Sequence, residues 1–299
     1  MVPLFSPSGM LGLLWLECGG SRCQGLYVEK YGPTVPISFE PGFNATSDDI
    51  NCLKAVVNTV RVHLEQRQPQ YLLLGAAGLT VDEASKAKKV LAEVWPESHI
   101  QVFNDLEALG RAYAKHSVVG ILGTGASAAL WDGQRIQRTG PSLGWIVGDE
   151  GSGAWLGKQM VRDRFYAVMP EPLWSSFDQF AVADSRSAVL KKIYSSGGRA
   201  WLAGLTRWLA LPEVRRMDWA QRLLRSGFEA YLRHQVKPLI DLRSSEALVL
   251  AGGVAWHFRQ ELEEVARAEG LTLTSVTPSA TAILQDLSAE EIFLRLSSW

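Results

Sequence analysis

The sequence predicts an α/β protein of two domains built on one repeated plan. Three observations carry that prediction. The chain, 299 residues long, has room for two hydrophobic cores. Strand-like and helix-like segments alternate through its first third. After about residue 116 the same opening, short strands joined by glycine turns, begins again.

The elements follow in order. Leu11–Glu17, Gly25–Lys30 and Val35–Phe39 are apolar or alternating runs bounded by Gly and Pro, and read as strands. Ser47-Asp48-Asp49 starts a helix reaching about Gln66, with Ile50, Leu53, Val56, Val57, Val60 and Leu64 on one face. "YLLLGAAG" is a short buried strand, Val81–Val94 a helix, "HIQVF" a strand and Leu106–Lys115 a helix. That order is βββαβαβα. "SVVGILGTG", "ASAALWDG" and "QRIQRTG" then restart it as strands. Helix is expected from Gly151 to Met169 and through most of Glu171 to Leu242. "ALVLAGG" is a buried strand, Val254–Glu269 a helix, "LTLTSV" the last strand, and "SATAILQDL" and "AEEIFLRL" closing helical pieces. The domains are expected at 1–115, completed by the C-terminal helix 286–299, and at 116–285.

Composition excludes several function classes. Lys and Arg number 30 against 31 Asp and Glu, a net charge of −1, so no broad positive field attracts nucleic acid or an acidic membrane. Hydrophobic residues at 47% and charged residues at 20% match a globular protein. No apolar run approaches the ~20 residues of a membrane-spanning helix. The N-terminus lacks the basic start of a signal peptide, and residues before Met10 read as a loose tail. Cys18, Cys23 and Cys52 are too sparse for a disulfide framework and suit the reducing cytoplasm. Cys18 and Cys23 have no second pair or nearby histidine to complete a zinc site, and read as small buried or turn residues.

Four glycine-rich or acidic turns stand at strand ends: Gly19-Gly20-Ser21, Gly123-Thr124-Gly125, Gly148-Asp149-Glu150-Gly151 and Gly252-Gly253. Such turns can present convergent N–H groups to a phosphate, and they also make ordinary hairpins. Two familiar nucleotide motifs are excluded. "SGAWLGKQ" around Lys158 imitates a P-loop, but Ser152 and Gln159 replace its first glycine and last hydroxyl residue, and it lies within a helix. "GTGASA" has the spacing of a dinucleotide fingerprint but runs into a strand where that fold needs a helix. Asp105, where "HIQVF" meets a helix, is a candidate general base or a helix cap, with Asn104 as the rival cap.

A strand–glycine turn–strand loop recurring in each half is similar to the actin-like, hexokinase-like and heat-shock-protein-like ATPase superfamily. That resemblance implies a duplicated ribonuclease H-like fold, with two domains around a nucleotide cleft. "GTGAS" followed by "GWIVGDEGSGAWLGK" resembles the N-acetylglucosamine kinase branch, grouped with the BadF/BadG/BcrA/BcrD-type ATPases. "LECGGSRC", "FNDLEALGRAY" and "LVLAGGVAWHF" stand where that family has its first phosphate loop, catalytic aspartate and adenosine loop.

The resemblance implies ATP-dependent phosphorylation of an amino sugar: N-acetylglucosamine or a relative such as glucosamine or N-acetylmuramate. Asp105 becomes the base and a sugar contact. Asp149 bonds sugar hydroxyls, and Gly148 to Ser152, Glu150 included, shapes the pocket floor. Trp145 packs on the sugar or its acyl group, or lies in the core. Asn44 matches a sugar-binding asparagine, with a plain turn residue as the other reading, and Gly78 borders the same pocket. Gly19, Gly20, Ser21 and Arg22, with Gly123, Thr124 and Gly125, meet the phosphates. Gly252 and Gly253 receive adenosine. Glu17 orients Mg²⁺ through water.

Some positions depart from the family. Many relatives carry Asp at the Glu17 position, although Glu occurs there in animal N-acetylglucosamine kinases. Cys23 replaces a commoner Ser or Thr, and "GAAG" lacks a hydroxyl often found in that loop. Two other functions remain in view. One is a catalytically weak sugar sensor. The other is an ATPase activator bridging an iron–sulfur cluster, for which no cysteine follows Cys52. No helix-turn-helix precedes the first strand, so a DNA-binding form is not expected. The expected partner is a small-molecule amino sugar in the cytoplasm, with a homodimer allowed and neither nucleic acid nor membrane involved.

Overall fold

The structure, a computed structural model, describes residues 11–20, 22–46, 48–65, 67–240 and 247–296. The expected N-terminal tail, the loop residue Ser21, the helix-start residue Ser47 and the helix-end residue Gln66 lie outside the described residues.

In chain order the first elements are β1 (Gly12–Cys18), β2 (Cys23–Glu29), β3 (Thr34–Phe39), α1 (Ile50–Leu64), β4 (Tyr71–Ala76), α2 (Val81–Val94), β5 (His99–Asn104) and α3 (Asp105–Tyr113). The restart gives β6 (Ser117–Leu122), β7 (Ala126–Trp131), β8 (Ile136–Thr139) and α4 (Gly153–Phe165). A helical run follows: α5 (Trp174–Ala181), α6 (Arg186–Ile193), α7 (Gly198–Gly204), α8 (Thr206–Leu209), α9 (Pro212–Arg215) and α10 (Asp218–Tyr231). The chain closes with β9 (Ala247–Ala251), α11 (Gly253–His257), α12 (Arg259–Ala268), β10 (Ser275–Thr277), α13 (Ala280–Gln285) and α14 (Ala289–Leu296).

Two compact units result: Met1–Lys115 with Ser279–Trp299, and His116–Pro278. The first sheet has the order β3-β2-β1-β4-β5, antiparallel through β1–β3 and parallel from β1 to β5. The second has the order β10-β9-β6-β7-β8, with β6, β9 and β10 parallel. Reading β6 for β1 and so on, the two orders are the same.

Strand periodicity explains the first unit. Successive side chains point to opposite faces. Leu14, Leu16 and Cys18 therefore join Leu53, Val56, Val57 and Val60 of α1 in one core. Trp15 points the other way, and its indole N–H donates to the hydroxyl of Thr281 in α13 at 3.1 Å. Glu17, two residues on, shares that face. The α1 face is as the spacing predicts, with Leu53, Val56, Val57, Val60 and Leu64 buried.

Three boundaries differ from the sequence reading. The last strand is only Ser275–Thr277, after Thr274, whose N–H donates to the Leu248 carbonyl at 2.8 Å. The helix expected over 254–269 breaks at buried Phe258 into α11 and α12. Residues 279–285 belong to the first unit, not the second, because Glu17 and Trp15 hold the start of α13. Among the described residues, no helix is long and apolar enough to cross a membrane.

Candidate active site

In the first unit the carboxyl ends of β1, β4 and β5 lie in register, with Cys18 beside Ala76 and Ala76 beside Asn104. Ligands of open α/β sheets bind beyond such ends. Asn104 wins the capping role: its Oδ1 accepts the Glu107 N–H at 2.8 Å. Asp105 is thereby the first helical residue, half-buried, with Oδ1 accepting the Leu106 N–H at 3.0 Å.

Asn44 is buried and forms an isolated parallel bridge with Ala77. Its Oδ1 accepts the Thr46 N–H at 3.0 Å. A Cβ on Gly20 would stand 3.9 Å from its Nδ2, and one on Gly78 2.6 Å from its Oδ1. Gly20, Asn44 and Gly78 are thus neighbours. The Gly19 N–H donates to the Arg22 carbonyl, and the Gly19 carbonyl accepts the Phe43 N–H, each at 2.9 Å. The Arg22 side chain is exposed and pairs with Glu40 at 3.2 Å.

Glu17 does not fit a metal position. Its Oε1 accepts the Ala280 N–H at 3.2 Å, and its Oε2 accepts both the N–H and the hydroxyl of Thr281 at 2.8 Å. Burial pushes its carboxyl above the usual value, against those bonds. Strand alternation turned it to the α13 side, where the helix start supplies donors. Among the described residues, no group of three or more His, Cys, Asp or Glu side chains is placed to hold a metal ion.

The second unit repeats the loop with different support. The Gly123 N–H donates to the Gly125 carbonyl at 2.9 Å, closing the turn. The first N–H groups of α4 hold it from behind: Gly153 donates to the Gly123 carbonyl at 2.8 Å and Ala154 to the Thr124 carbonyl at 3.1 Å. Gly252, at φ +117°, opens α11 beside Gly253, and a Cβ there would stand 2.4 Å from the Leu122 carbonyl. A side chain at position 252 would collide with the end of β6, so glycine allows this close approach.

Asp149 is buried at φ 55°, and Gly148 beside it is buried too. Its Oδ2 lies 3.4 Å from Nη2 of Arg199, in α7. Burial raises the Asp149 carboxyl, while the Arg199 guanidinium and the Ala126 N–H pull it back, leaving it above the usual range. A Cβ on Gly125 would stand 2.2 Å from Arg199 Nη2, so the guanidinium lies against the loop itself. Nε of Arg199 and Oε2 of Glu150 are buried without hydrogen-bond partners. Trp145 packs on the second core, and the Lys158 ammonium donates to its carbonyl.

No protein-family model matches the sequence, and no curated protein matches it. Solved structures do. A protein assigned as an N-acetylglucosamine kinase from Porphyromonas gingivalis is 25% identical, with a TM-score of 0.85 over 95% of this chain and 99% of that one. The chain is built as a sugar kinase of the actin-like ATPase fold.

Further sugar-kinase structures share that fold. One assigned as an N-acetylglucosamine kinase from Chromobacterium violaceum is 20% identical, with a TM-score of 0.71 over 94% of this chain and 98% of that one. A ROK glucokinase from Streptomyces griseus, solved with glucose and AMPPNP, is 15% identical, with a TM-score of 0.56 over 91% and 97%. Within the sugar-kinase frame, sequence reasoning missed Arg199. It lies in the helical run far from Gly125, and no local motif marks it. It also dismissed Lys158 along with the false P-loop, although that lysine holds the turn before Asp149.

Proposed function

We propose that the chain transfers the terminal phosphoryl group of ATP to a hydroxyl of an amino sugar, N-acetylglucosamine or a close relative. The observation that carries this reading is Asp105, a carboxylate at the first turn of α3 directly beyond the carboxyl end of β5. The likeness to N-acetylglucosamine kinases across nearly the whole chain supports the sugar class.

Phosphoryl transfer asks for positioning and charge neutralisation more than covalent help. Asp105 accepts the proton of the sugar hydroxyl as its oxygen attacks the γ-phosphorus. The bond from that phosphorus to the β–γ bridging oxygen breaks, and ADP departs. Asn44 and Asp149 hold sugar hydroxyls. Backbone N–H groups of Gly20 and of Thr124 and Gly125 meet phosphate oxygens, those of Gly19 and Gly123 being held within their own turns, and Gly252 lets adenosine lie close. Arg199, set against Gly125 with an unpartnered Nε, adds a cation to the second loop and draws the Asp149 carboxyl down against the rise that burial causes. Mg²⁺ accompanying ATP would neutralise phosphate charge; no side chain of the chain is assigned to it.

ADP release over a panel of glucosamine, N-acetylglucosamine, N-acetylmannosamine, N-acetylmuramate and glucose tests the reading. One N-acylated sugar is expected to stand out. ADP release independent of every sugar would overturn it, and tight sugar binding without ADP release would favour a sensor.

A further inference from the structure

Cys18 and Cys23 end the two strands that carry the first glycine loop, and they are register partners in the β1–β2 ladder. One residue further toward the loop, the Gly19 N–H donates to the Arg22 carbonyl. That bond makes Cys18 and Cys23 a non-hydrogen-bonded pair, the kind whose Cα atoms stand about 4.5 Å apart with side chains close. Disulfides span Cα separations of roughly 4.4–6.8 Å, so no strand need move to join them. The two sulfurs already lie 2.7 Å apart. Both side chains are buried in the first core, while Gly19, Gly20 and Arg22 beside them are exposed. Cys52, the remaining cysteine, is exposed on α1.

We propose that Cys18 and Cys23 are a modification site, a dithiol that a hydroperoxide converts to a reversible disulfide across the neck of the first glycine loop. One thiolate attacks a peroxide oxygen: an S–O bond forms, the O–O bond breaks, and hydroxide leaves to take up a proton. The neighbouring thiol then attacks that sulfur. An S–S bond forms, the S–O bond breaks and water leaves. Two thiols lose two electrons and two protons, and hydrogen peroxide becomes two waters. A small dithiol reverses the change by exchange.

The surroundings set the rate. The neighbouring thiol, burial and the Glu17 carboxylate all push the Cys18 thiol up, so thiolate is scarce at neutral pH and oxidation speeds as pH rises. The oxidised pair ties the loop ends where they already stand. This inference rests on the β1–β2 geometry and is independent of the kinase reading.

The test uses full-length Cys52→Ser protein treated with hydrogen peroxide, quenched with catalase, unfolded and alkylated. Intact mass and peptide mapping are the readouts, and oxidation of the five methionines records exposure. The expected result is a monomer lighter by two hydrogens, with neither cysteine alkylated and a peptide pair linked through Cys18 and Cys23. Both alkylation sites should return after dithiothreitol, and Cys23→Ser should form no internal link. Two alkylated cysteines in a sample with oxidised methionines would overturn the proposal. So would cysteines carrying two or three oxygens, or links only between molecules.

Discussion

Both oxygens of the Glu17 carboxylate end on the start of α13, with Oε2 receiving the N–H and the hydroxyl of Thr281 at 2.8 Å each. The same hydroxyl accepts the Trp15 indole N–H. Glu17→Ala leaves buried donors unpartnered, at about 1–3 kcal/mol for each such group, and thermal melting should show a lower Tm. In Glu17→Gln the Mg²⁺ concentration giving half-maximal turnover should be unchanged. A clear rise would return Glu17 to the metal.

The same carboxyl gives a pH dependence. Its folded pKa stands above the ordinary 4.5. Between those values the folded protein holds a proton that the unfolded chain has lost, so stability falls as pH rises through that window. Denaturant melts from pH 4 upward should show a weaker fall in Glu17→Gln than in the parent.

Arg199→Gln should raise the KM for ATP roughly ten- to a hundredfold, the worth of one bond to a charged group. It also removes the cation that pulls the Asp149 carboxyl down, so the acidic limb of the kcat/KM profile should move to higher pH. A KM change with the pH limb fixed would confine Arg199 to the phosphate. A moved limb with the KM fixed would confine it to Asp149.

Asp105→Asn should cost about 10²–10⁴ in turnover, the range for a general base, with ATP affinity kept. Isothermal titration beside ADP-release kinetics separates the two. Unchanged turnover would sink the role of Asp105.

Gly252→Ala places a Cβ 2.4 Å from the Leu122 carbonyl at a left-handed φ. A loss of about 1–3 kcal/mol is expected from the backbone conformation alone, before the clash. Melting temperature and ATP affinity should fall together.

Local physics made much of this chain legible in sequence. The α1 face, the Val81–Val94 helix and the restart after residue 116 follow from periodicity and glycine turns, which neighbours in sequence determine. Asn104 and Asp105 could not be ranked as caps, because either carbonyl-type oxygen can serve and only the helix's first residue decides. Arg199 was invisible, since its meaning is a contact with Gly125 and Asp149 made through tertiary folding. The bonds of Glu17 to α13 were not legible, because alternation along β1 names its face but not what covers that face.

The return of residues 279–296 to the first unit has a consequence for synthesis on the ribosome. Trp15 and Glu17 emerge early, yet Thr281, which receives them, emerges only after the whole second unit has been translated. Nascent domains generally fold in order of emergence, at about 5–20 residues per second. The N-terminal sheet must therefore wait, incompletely covered on its Trp15 face, while its twin is made. During that interval the face that α13 covers stays partly open to water.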